Sequence, residues 1–84
     1  MHQNTRDLFQ TADLCRIDQA ANSCRFYVLR LAPDLFGGVA VVRAWGRIGT
    51  RGQMKADPYP SPEAAAAALA RHLRQKLRRG YVAR

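Results

Sequence analysis

The stretch PYPSPEAAAAAL, residues 58–69, divides the chain. Its prolines are expected to end any strand arriving from the N-terminal side, because proline cannot donate to a ladder. The same residues start a helix. Ser61 suits the cap, Pro62 the first helical position, and Glu63 the positive end of the helix dipole. A helix is expected over 62–79, with Gly80 as its left-handed stop and Arg78 and Arg79 in the last turn, where cations are favoured. The five alanines Ala64 to Ala68 favour helix and allow a close approach to a neighbour. Ala66, Leu69, Ala70, Leu73 and Leu77 recur at three- and four-residue steps, so this face is expected to pack on a sheet.

The residues before the break read as strands. CRFYVLRLA (24–32) is β-branched and aromatic with alternating polarity, PDLFGG (33–38) is a reversal, and VAVVRAW (39–45) returns as the second arm of an antiparallel hairpin. LFQTADLCRID (8–18) carries apolar residues at both even and odd positions, which suggests a strand with a bend or bulge. DQAANS (18–23) is a connecting loop. A short fourth strand is expected over QMKAD (53–57). The fold class is therefore α+β: a small twisted antiparallel sheet of about four strands with one C-terminal helix packed on it, as a single domain over residues 1–84.

With 84 residues there is room for one modest core, and an apolar content of 48% is ordinary for a globular chain. No apolar run approaches the roughly 20 residues of a membrane span, and MHQNTRDLFQ lacks the apolar centre of a signal peptide. The expected setting is the cytoplasm, without membrane contact. Cys15 and Cys24 are too few and too isolated from His2 and His72 for a zinc site, and a reducing compartment leaves them as free thiols on strands, either small core residues or half-buried ones. No cofactor is expected.

Fourteen Lys and Arg against six Asp and Glu give a net charge of +8. Such an excess on so small a surface points to a polyanion, most simply nucleic acid, although a basic surface also serves solubility. Arg71, Arg74 and Arg78 fall on one helical stripe opposite the leucine face, where they serve either as phosphate donors or as a solvated face. The other candidate is AWGRIGTRGQ (44–53). Gly46, Gly49 and Gly52 permit a tight turn, and the amides between them form a candidate anion nest. Trp45 is either a stacking surface for a nucleotide or a core residue, and spacing does not separate the two.

WGRIGTRGQ (45–53), preceded by RFYVLRL (25–31) and LFGG (35–38) and followed by PSPEAAAAAL (60–69) and KLRRGY (76–81), resembles the WGR domain, named for its Trp-Gly-Arg signature. The resemblance runs from about Leu14 to Tyr81. It implies a compact antiparallel sheet with one packed helix. In poly(ADP-ribose) polymerases such modules bind near DNA strand breaks, with the signature Trp against the sugar or base and the signature Arg binding DNA or joining neighbouring domains. The resemblance carries these roles to Trp45 and Arg47. The chain has none of the polymerase's zinc fingers, helical regulatory domain or transferase domain, and its ending is closer to small bacterial WGR proteins and to the modules of putative molybdate-metabolism regulators.

The expected function is a non-catalytic nucleic-acid-binding module, with DNA ahead of RNA. Arg43, Arg47, Arg51 and Lys55 around the signature and Arg71, Arg74 and Arg78 on the helix would hold phosphates while Trp45 stacks. Phosphate contacts carry little sequence information, so binding should be salt-dependent and indifferent to sequence. The alternative is a protein-interaction adaptor that docks the same loop on a separate partner, since Trp and Arg are enriched in interface hot spots. Catalysis is not expected, because no nucleophile, acid or base is set beside a partner that would tune it.

Overall fold

The computed structural model describes residues 11–84. Strands β1 (Thr11–Asp18), β2 (Ser23–Pro33), β3 (Val39–Arg47) and β4 (Gln53–Tyr59) are followed by helix α1 (Pro62–Arg78) and a short strand β5 (Val82–Ala83). They form one antiparallel sheet in the order β4-β3-β2-β1-β5. The α+β class holds, with a fifth strand added at the edge. Leu8 to Gln10, the expected start of the first strand, lie outside the described residues.

The β1–β2 register runs without interruption from Thr11 opposite Arg30 to Asp18 opposite Ser23. The expected bulge is therefore absent from the described part of the strand. Both faces of β1 carry apolar residues because the sheet is apolar on both sides, and a regular strand then shows no clean alternation. Leu14 faces the helix with Tyr27, Leu29, Leu31, Val39 and Val41, and these pack on Ala65, Ala68 and Leu69. The opposite face carries Phe26, Val28, Ala40 and Val42, with Ile17, Met54 and Val82 exposed at its margins. Cys15 and Cys24 are free and half-buried.

Helix α1 begins as its sequence requires. Ser61 is extended and its hydroxyl accepts the N–H of Ala64 at 3.1 Å, with Pro62 and Glu63 in the first turn. At the other end Gly80 has φ +95°, its N–H bonds to the carbonyl of Leu77 at 3.1 Å, and that of Tyr81 bonds to Lys76 at 3.1 Å. This pair of bonds is a Schellman closure.

The packed face differs from expectation. Ala65, Ala68 and Leu69 are buried, Ala66 and Leu73 pack at the margin, and Leu77 is 48% exposed. An alanine run gives no phase of its own, so the sheet chooses which alanines it meets. The last helical turn runs on beyond the core. Pro58 also departs from its expected role, pairing with Ala40 inside β4. β4 is an edge strand, where a missing N–H leaves no ladder bond unmade. No helix among the described residues is long and apolar enough to cross a membrane.

Candidate nucleic-acid interface

The Trp-Gly-Arg signature is the end of β3 rather than a loop. Trp45 lies between Tyr27 on β2 and Gln53 on β4, Gly46 is opposite Phe26, and Arg47 is opposite Arg25. The turn to β4 passes so close to this strand end that side chains are excluded. A Cβ on Gly46 would lie 2.8 Å from the Cα of Gly52, and one on Gly52, at φ +73°, would strike the carbonyl oxygen of Trp45. Two amides of the turn are engaged inward. Ile48 donates to Cys24 at 2.8 Å, and Thr50 donates to Arg47 at 3.0 Å through its N–H and at 2.8 Å through its hydroxyl. These groups are withdrawn from the expected anion nest, because the glycines close a turn.

Trp45 is half-buried at the margin of the core. Its ring is tilted 35° against Tyr27 at a centroid distance of 6.4 Å, and the guanidinium carbon of Arg43 lies 5.6 Å from its centroid. Arg43 is held in turn by Asp57, Nη2 to Oδ2 at 3.3 Å, and its Nε is buried without a partner. Lys55 reaches the same carboxylate at 4.0 Å. Arg43 and Lys55 thus share one negative charge. They are the least available of the sequence-predicted cations.

Arg47 and Arg51 are exposed beyond this cluster, and Arg47 donates to the carbonyl of Asn22 at 3.3 Å. Arg71, Arg74 and Arg78 line an open cleft along α1 with His72 and Gln75. Burial and the nearby Arg43 push the pKa of His72 down, Arg71 and Lys76 add to this, and Asp57 opposes it. The predicted residues therefore divide between the end of the sheet and the solvent face of the helix.

A further group was not singled out from the sequence. Arg16, Arg25, Lys76, Arg79 and Tyr81 line a second open cleft. Arg16 is the register partner of Arg25, which is also the partner of Arg47, so three arginines stand in one row across β1, β2 and β3. Lys76 lies over two aromatic rings, 4.5 Å from the centroid of Tyr27 and 5.5 Å from that of Tyr81. Desolvation lowers its pKa, and Arg79, Arg43 and Arg25 lower it further. The available signal was the tight turn at residues 19–22, which sets Arg16 opposite Arg25 once the register is counted outward from it.

Comparison with known proteins agrees with this geometry at the level of the fold. A model of the WGR domain family matches residues 10–84. The uncharacterised protein y4dW of Sinorhizobium fredii is 42% identical over 66 residues, covering 79% of this chain. The match spans only 32% of that relative's length. A crystal structure of a Bacteroides fragilis protein superposes with a TM-score of 0.73 at 24% identity, over 89% of this chain and 19% of the other.

Proposed function

The chain belongs to the WGR domain family, a module known in nucleic-acid-binding proteins, and on that premise we propose that it is a non-catalytic module that binds nucleic acid without regard to sequence, DNA ahead of RNA. One observation carries the reading. Among the described residues only Arg43, Lys55 and Arg84 have a carboxylate within 4.0 Å, so most of the basic surface is uncompensated. Arg47 and Arg51 at the end of β3 and Arg71, Arg74 and Arg78 on the helix hold phosphates. Trp45, half-buried, offers the part of its ring that solvent reaches to a sugar or base, and Arg43, tied to Asp57, lies beside that ring.

The test is a titration with blunt, nicked and single-stranded DNA at 50 and 200 mM salt. For about five phosphates neutralised on duplex, affinity should fall by roughly 500-fold between those concentrations. Absence of binding at 50 mM, or affinity indifferent to salt, removes the proposal.

A second reading, a protein-docking adaptor, draws on the β2–β3 turn. Leu35 and Phe36 are 96% and 94% exposed there, on a turn closed by the N–H of Asp34 bonded to Gly38 at 3.0 Å. This apolar tip is separate from the Trp-Gly-Arg strand end. A pull-down that loses a protein partner on Leu35→Ser or Phe36→Ser while DNA binding persists would favour the adaptor.

A further inference from the structure

We propose that Arg16, Arg25 and Arg79 extend the Arg47 position into a track for the phosphodiester backbone of one nucleic-acid strand, which crosses the end of the sheet perpendicular to the β-strands. The proposal rests on the nucleic-acid reading and adds to it the path of the ligand. Arg16, Arg25 and Arg47 are successive register partners and so share one face of the sheet. Neighbouring strands are about 4.8 Å apart, so the row spans about 10 Å. A stacked strand rises about 3.4 Å per phosphate, so that length covers about three phosphate steps, enough for each guanidinium group to reach a phosphate of its own. Each planar fork can donate two hydrogen bonds to one phosphate.

Like charges directly opposite one another destabilise a ladder. Here that arrangement occurs twice in succession, and no ion pair among the described residues relieves Arg16, Arg25, Arg47 or Arg79. A bound polyanion would relieve the repulsion. Gly80 keeps the track open beside Arg79, since a Cβ there would stand 3.3 Å from the Nε of Arg16.

The floor of the track favours backbone over bases. Tyr27 is only 4% exposed, and Lys76 lies on its ring and beside that of Tyr81. No base can stack on Tyr27 without displacing that lysine. Lys76 adds charge beneath the phosphates; burial lowers its pKa most, and Arg79, Arg43 and Arg25 lower it further.

The test compares Arg16→Gln/Arg25→Gln with Arg71→Gln/Arg74→Gln on the helix cleft, using a labelled oligothymidine between 50 and 200 mM salt. The track variant should lower the magnitude of the salt slope by about 1.4, at about 0.7 for each lost contact to a single strand. Arg16→Lys/Arg25→Lys should restore the slope, and the glutamine variant should melt at or above the wild-type temperature because the repulsion is gone. A well-folded track variant that keeps the wild-type slope overturns the track. Wild-type protein that fails to bind at 50 mM overturns the nucleic-acid reading itself.

Discussion

Asp57 on β4 holds Arg43 on β3 at 3.3 Å, and the held guanidinium lies beside the ring of Trp45. The two side chains are 31% and 20% exposed, so solvent weakens the attraction without removing it. Asp57→Asn should cost about 1 kcal/mol, below the roughly 1.5–3 kcal/mol of a hydrogen bond to a charged group because solvent reaches the pair. The urea midpoint measures the loss. It should fall for Asp57→Asn and stay near wild type for Lys55→Gln, whose contact with the carboxylate is longer at 4.0 Å.

Trp45 is the chain's only tryptophan, so its emission reports on its own surroundings. Half-buried against Tyr27, it contributes to packing as well as to any ligand contact. Trp45→Ala should destabilise by about 2 kcal/mol, below the range for a fully buried aromatic, and Trp45→Phe should recover most of that. Saturating oligonucleotide should change the wild-type emission. An unaltered spectrum would show that the ring lies away from the ligand.

Gly52 occupies a position where both backbone angle and space exclude a side chain. Gly52→Ala must shift the turn away from Trp45 and Phe26, and it should cost about 3 kcal/mol by adding steric conflict to the strain of a positive φ. Denaturant unfolding checks the magnitude. Binding should weaken with it, because the displaced carbonyl belongs to Trp45 itself.

His72 makes stability depend on pH in a known direction. Its pKa in the folded chain is held below the ordinary 6.5 by burial and then by Arg43. As pH falls through 6.5 the unfolded chain takes up the proton first, so stability declines until folded His72 also protonates. The unfolding midpoint should therefore decrease from pH 7.5 to the acid side of 6.5, and His72→Gln should flatten that stretch of the curve. A wild-type midpoint that rises on acidification through this window contradicts the assignment.

Local signals in the sequence account for the hairpin of β2 and β3, the Ser61 cap and the Gly80 stop, because each depends on residues within a few positions of one another. The strand character of Gly46 and Arg47 was hidden by glycine content. Those glycines answer to a chain passing alongside, which only the folded pairing brings there. β5 was equally hidden, since two residues form a strand only by meeting Leu14 and Cys15 far back in the chain. The helical phase was ambiguous for a different reason: consecutive alanines look alike until a sheet is placed against them. At the candidate site the individual arginines were visible, but Arg16, Arg25 and Arg47 became a row only through the register of three strands.

The return of the tail to β1 has a mechanical consequence. Arg84 bonds to Asp13 through its N–H at 3.0 Å and through its side chain at 2.8 Å, so the two ends of the described chain leave from one edge of the sheet. Opposed tension on flanking polypeptide would load the two-residue β1–β5 ladder in an unzipping geometry, peeling its bonds one after another. The larger β2–β3 ladder and the helix contact lie outside that line of force. Traction would detach the final strand first and leave the arginine row standing.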